Sequence, residues 1–181
     1  MRHPSDVKIR AATPDDVDAI ADIIRRSYST LPPSQTPVDM PIYHPAHHAE
    51  AMADPHGRWR LLEEKSGPAG VAMWRMLPGL AHLHLLFVRG DLQGRGYGSL
   101  LLRHFLEEAE SEDPGVRLLT LHCLTCAAKT IRFYKRHGYT EYSPGDEGRV
   151  TDLYLWLDAS QRYDVAWPLK DDKRLFYRRT R

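Results

Sequence analysis

Cysteine is nearly missing from this chain. Cys123 and Cys126 are the two among 181 residues, three positions apart with no second pair, which argues against a disulfide scaffold and a four-ligand zinc site. A redox-active C-x-x-C belongs beside a βαβ unit, whereas this pair follows a strand late in the chain and reads as two ordinary thiols. Charge of one sign is missing too: 25 basic residues stand against 24 acidic ones, so no overall field draws the protein to nucleic acid or an anionic membrane. No apolar run approaches the ~20 residues of a membrane-spanning helix, and the opening MRHPSDVKIR lacks the apolar centre of a secretory signal. These absences predict a cytoplasmic protein with no membrane and no nucleic acid among its partners. The length fits a single domain over 1–181, since compact domains run to roughly 100–200 residues.

What is present alternates strands with helices. Val7 to Arg10 reads as a short strand, and Thr13-Pro14-Asp15-Asp16 supplies a cap, a first-turn proline and early acids for a helix. Val17, Ile20, Ala21, Ile24 and Tyr28 form its apolar stripe. From Tyr28 to Pro45 prolines stand at 32, 33, 37, 41 and 45, a long loop of the kind that covers substrates. A short helix is expected from His47 to Ala53, then a hairpin of Trp59 to Glu63 and Gly70 to Met76 around a turn at Lys65 to Pro68. A third strand, Ala81 to Val88, leads through a glycine-rich loop into a helix from about Gly98 to Glu110, with Leu101, Leu102, Phe105, Leu106 and Ala109 inward. Val116 to Cys123 is a further strand, Ala127 to His137 a helix ending at Gly138, and Tyr139 to Tyr142 and Asp152 to Leu157 are two final strands. The basic, aromatic-bearing segment from Ala159 to Arg181 is expected to dock as an extra strand beyond a core of about 7–157. The order is α+β.

Four glycines between Gly90 and Gly98 ask what needs so much bare backbone. A Walker loop requires Lys followed by Ser or Thr after its glycine, which is missing, and a Rossmann fingerprint requires a third glycine where Ser99 stands. Gln93-Gly94-Arg95-Gly96-Tyr97-Gly98 instead fits Q-x-x-G-x-G running into a helix, where a diphosphate touches consecutive N–H groups at a positive helix N-terminus and Arg95 adds a charge. This stretch resembles the acetyl-CoA-binding motif of the GNAT superfamily of N-acetyltransferases. The order of the elements from 7 to 157 resembles that family too, as does Phe133-Tyr134 before Gly138-Tyr139.

The resemblance implies a mixed, mostly antiparallel central sheet flanked by helices and splayed between the strands ending at Val88 and Cys123. It implies acetyl-CoA as co-substrate, with the backbone of Leu86, Phe87 and Val88 pairing with the pantetheine arm as an added strand. Gln93, Gly94, Arg95, Gly96, Tyr97, Gly98 and Ser99 would then hold the diphosphate, and the Val88 N–H would face the oxyanion. An alkylamine with a pKa near ~10 must lose a proton before it attacks a thioester. His82 and His84, two apart on one strand, share a face and are the candidate bases, with the choice between them open. Ala81-His82-Leu83-His84 resembles the arylalkylamine (serotonin) N-acetyltransferase branch, where paired histidines relay the proton. Tyr134 matches the family's general acid.

The same resemblance points to a small aromatic or alkyl amine as acceptor. A protein amine, an aminoglycoside or a non-catalytic acyl-CoA sensor stays open, as does the choice of monomer or homodimer. The chain departs from the family at Ala127, where many members place Asn, and Thr125 is the candidate replacement. Cys123 beside His122 is a poor nucleophile pair, because neighbours on a strand face opposite ways. His44, His47 and His48 lack metal-ligand spacing, so no metal is expected.

Overall fold

The computed structural model describes residues 7–30, 40–124, 127–143 and 173–180. In chain order the strands are β1 (Lys8–Ala11), β2 (Gly57–Glu64), β3 (Gly67–Leu77), β4 (Leu80–Val88), β5 (Leu118–Leu124), β6 (Thr140–Glu141) and β7 (Lys173–Arg179). The helices are α1 (Val17–Ser27), α2 (Pro45–Met52), α3 (Tyr97–Glu112) and α4 (Ala128–Arg136). The strands among the described residues join one sheet in the order β1-β2-β3-β4-β5-β7-β6. Its β4–β5 pair is parallel, and the β1–β2, β5–β7 and β6–β7 pairs are antiparallel. This is the mixed, mostly antiparallel sheet that the resemblance implies. The expected strand Asp152–Leu157, residues 31–39 of the Pro-rich loop, Thr125 and Cys126 lie outside the described residues.

The chain divides into two compact units, each made of two stretches. The first comprises Met1–Trp74 and Leu85–Phe105. Here Thr13 stands at the N-cap position as expected, with the Asp16 carboxylate reaching back to accept from its N–H at 2.8 Å, and Pro14–Asp16 forms a 3₁₀ turn that runs into α1. Arg10 ties that turn to β2 by donating to both Asp16 and Glu63. This guanidinium holds the Asp16 carboxyl down to about 2. The inner face of α1 carries Ile20, Ile23 and Ile24, which pack with Trp59, Leu61, Val71 and Met73 into one cluster. Tyr28, Tyr43 and Phe87 lie against its edge.

The second unit comprises Arg75–His84 and Leu106–Arg181. β5 is its spine, paired in register with β4 from Leu80↔Leu118 to Leu83↔Leu121 and with β7 from Leu118↔Arg179 to Leu124↔Lys173. The C-terminal segment does supply a strand, but β7 lies inside the sheet between β5 and β6 rather than at its margin. Pairing with β5 on one side and β6 on the other makes it interior, and its Leu175 and Phe176 are 1% and 0% exposed. Neighbours on a strand face opposite ways, so burying both needs cover on both faces of the sheet. α4 ends as expected at Gly138, whose φ of +83° suits a helix terminator.

Candidate active site

In the first unit, β4 ends at Val88 and a 3₁₀ turn, Gly90–Leu92, leads into the glycine loop. Gly94 and Gly96 have φ of +77° and +88°, the left-handed region that other residues enter at a cost. A Cβ built on either glycine would meet nothing within 4 Å. Backbone conformation and open space, rather than tight packing, therefore call for glycine at these positions. The stretch 93–96 is exposed, and the first turn of α3 closes with Leu100 N–H donating to Gly96 O at 3.0 Å. Amides ahead of that bond project from the positive end of a 16-residue helix. Such a cradle fits a diphosphate.

Side chains brace it. The Gln93 amide donates to the carbonyls of Ser27 (3.0 Å) and Val88 (3.1 Å), clamping the loop between the end of α1 and the end of β4. The Gln93 N–H donates to the Gly90 carbonyl at 3.3 Å, so in this structure Gln93 braces the loop with backbone and side chain alike. Arg89 pairs with Asp91 at 2.7 Å, and Arg26 reaches the same carboxylate at 3.3 Å. Arg95 donates to the Asp91 carbonyl at 3.3 Å, which turns its guanidinium toward the loop. Tyr97 is half-buried, with its hydroxyl 3.3 Å from Glu64 Oε2. Gly98 and Ser99 lie in the first turn of α3. Leu86 and Phe87 are half-buried and Val88 is buried at the end of β4.

In the second unit, β4 carries His82 and His84. Their rings stand 4.6 Å apart at 83°, as the two-residue spacing requires. His82 is buried, 1% exposed, whereas His84 is exposed, so the pair reaches from the interior to solvent. Burial pushes the His82 pKa well below the usual histidine value, and His84, His122 and Arg75 push it the same way. Its imidazole is therefore neutral at pH 7. Nδ1 of His82 lies 2.7 Å from the Thr120 hydroxyl, and its ring is 4.9 Å from that of His122. Sequence reasoning weighed His122 as a neighbour of Cys123 and passed over Thr120. The available signal was the T-x-H alternation on β5, which matters only once the β4–β5 register is known.

Tyr134 lies on α4, 6% exposed, in edge contact with Phe133 and Tyr139. Burial, and secondarily Cys123, raise its pKa, so the phenol stays protonated. Cys123 is a buried free thiol. His48 turns inward to the Ile42 carbonyl at 2.9 Å, while His44 and His47 line an open hollow with Pro41, Ala46 and Glu50. No group of three metal-binding side chains occurs among the described residues.

Residues 17–139 match the acetyltransferase (GNAT) family. The chain belongs to that family. This GNAT acetyltransferase is also similar in fold to many solved structures. One is the PaiA N-acetyltransferase of Thermoplasma acidophilum in complex with coenzyme A, 11% identical, with 96% of this chain and 99% of that one covered and a TM-score of 0.69. An acetyltransferase from Thermus thermophilus is 21% identical over 99% and 100% of the two chains, with a TM-score of 0.64. A ribosomal-protein alanine N-acetyltransferase from Escherichia coli is 19% identical over 96% and 93%, with a TM-score of 0.64. At such identities the likeness is one of fold, and it does not single out the arylalkylamine branch of the GNAT family. No curated protein sequence matches the chain. No helix among the described residues is long and apolar enough to cross a membrane.

Proposed function

We propose that the chain is an acetyl-CoA-dependent N-acetyltransferase that passes the acetyl group directly to a small aromatic or alkyl primary amine. In this reading it works in the cytoplasm as one catalytic domain, a monomer or homodimer. The observation that carries it is the imidazole pair on β4, one ring buried and neutral, the next exposed. A neutral imidazole can take the proton that an ammonium must lose, and an exposed neighbour can hand it to water.

The stretch 93–99, with Gln93 as its brace, holds the diphosphate of the co-substrate, and Leu86 to Val88 pair with its pantetheine arm. Acetyl-CoA supplies the activated acyl carbon. Tyr134, kept protonated by burial, is the hydrogen-bond donor to the sulfur as negative charge develops there. The aromatic acceptor is supported by the half-buried cluster of Tyr28, Tyr43 and Phe87, whose rings stand 6.0 and 5.9 Å from that of Tyr28. The paired histidines are what this reading shares with the arylalkylamine branch.

Calorimetry with coenzyme A, run beside a thiol-release assay over a panel of aromatic amines, alkyl amines, aminoglycosides and peptides, tests the reading. Release with the small amines supports it. Binding without release from any acceptor overturns the proposed transfer, and release confined to peptides or aminoglycosides overturns the acceptor class. His84→Ala and Tyr134→Phe are each expected to lower turnover by roughly 10²–10⁴. Parental rates in either variant would remove that residue from the mechanism.

A further inference from the structure

Two residues outside the mechanism just described converge on His82. Thr120 is its register partner across the parallel β4–β5 pair, 0% exposed, with its hydroxyl 2.7 Å from Nδ1. His122, two positions further along β5, shares that face of the sheet and brings its ring to 4.9 Å at 64°. His84 approaches from the same strand at 4.6 Å. One buried imidazole thus has a hydroxyl on one nitrogen and an imidazole from each of two strands beside it. A histidine buried for packing alone needs one hydrogen-bond partner, and a second and third imidazole beside it only raise the cost of protonating it.

We propose that Thr120 and His122 complete the proton-accepting unit, Thr120 as the positioning residue that fixes the His82 tautomer and His122 as a second imidazole that shares its proton. The proposal rests on the reading of His82 and His84 as the proton-accepting pair. With Nδ1–H donated to the Thr120 oxygen, the His82 lone pair lies on Nε2, on the other side of the ring. The proton leaving the substrate ammonium bonds to Nε2. It then passes to His122 or His84 as one N–H bond breaks and another forms, and it reaches water through the exposed His84. Other charged or titratable groups around His82 are Arg75 on β3 and Tyr177, which stands opposite Thr120 on β7.

The test is the pH dependence of acetyl transfer from acetyl-CoA, with phenethylamine or the panel amine of highest turnover as acceptor. Thr120→Val is expected to lower kcat roughly 10-fold with little change in the KM for acetyl-CoA, and Thr120→Ser to recover most of that loss. His122→Gln removes an imidazole whose electrostatic effect opposes protonation of His82. It should lower kcat several-fold and move the acidic limb of kcat/KM to higher pH, by about 0.3–1 unit. Coenzyme A calorimetry on each variant reports folding separately, and if Thr120→Val does not fold, Thr120→Ala against Thr120→Ser makes the same comparison. Equal kcat in the valine and serine variants, or a parental kcat and limb in His122→Gln, overturns the proposal. Should His82→Gln and His84→Gln also keep parental turnover, the proton-accepting pair itself is wrong. If they lose turnover while the Thr120 and His122 variants keep it, only the role of β5 falls.

Discussion

His82 pairs full burial with two imidazole neighbours, and this has a consequence for stability that is independent of catalysis. Its folded pKa lies well below 6.5, the unfolded value, so at mildly acid pH the unfolded chain takes up a proton that the folded chain refuses. Stability is unaffected above pH ~6.5 and is lost as the pH falls below it. The melting temperature should therefore drop between pH 7 and pH 5, and His82→Gln should drop less over that range. His48, whose pKa burial also lowers, leaves a residual slope of the same sign. Equal slopes in parent and variant would show that His82 titrates normally. Gly96 makes a complementary case: at φ +88° with open space around a built Cβ, Gly96→Ala costs conformational strain, about 1–2 kcal/mol, and no clash. The added side chain would also shift the backbone of the proposed diphosphate cradle away from the left-handed conformation. Denaturant melts should show the small stability loss, and calorimetry a coenzyme A affinity at least roughly 10-fold weaker.

At the scale of elements, β7 makes the strongest claim, because a segment this basic does not announce itself as interior. Phe176 is 0% exposed on a strand flanked by β5 and β6. Phe176→Ala should therefore cost about 3–5 kcal/mol in urea unfolding, against well under 1 kcal/mol for a substitution at a margin. The same strand shows where the sequence stopped being legible. In KRLFYRR the apolar neighbours Leu175 and Phe176 are both buried, so period-two alternation is missing and only docking as a strand was foreseeable, not the position in the sheet. α1 was more legible, since its stripe and cap are local. Ser27 was missed because its hydroxyl donates within the helix to the Ile24 carbonyl at 2.6 Å and can then be buried. The conformation of the glycine loop was legible because Gly94 and Gly96 mark the positive-φ backbone that they adopt. The pairing of His82 with Thr120 was not, since it depends on a register between segments 38 positions apart.

Across the whole molecule, 25 basic residues against 24 acidic ones leave no general field to gather an anion. The proposed recognition of the co-substrate is accordingly local, resting on the helix end and glycine loop of 93–99. A ligand that binds only the folded chain stabilises it by about 2.7 kcal/mol at a hundredfold excess over its Kd. For a chain of this size each kcal/mol raises the melting temperature by about 2–4 °C, so saturating coenzyme A should raise it by about 5–11 °C. Pantetheine keeps the amide arm that would pair with Leu86 to Val88 but has no diphosphate. At equal concentration it should protect far less, and added salt should weaken the coenzyme A effect by screening exposed phosphates. Thermal melts with each ligand, at low and high salt, decide the matter. If pantetheine protects as well as coenzyme A, the anchor is the β4 edge rather than the cradle, and Gly94 and Gly96 owe their place to the turn alone.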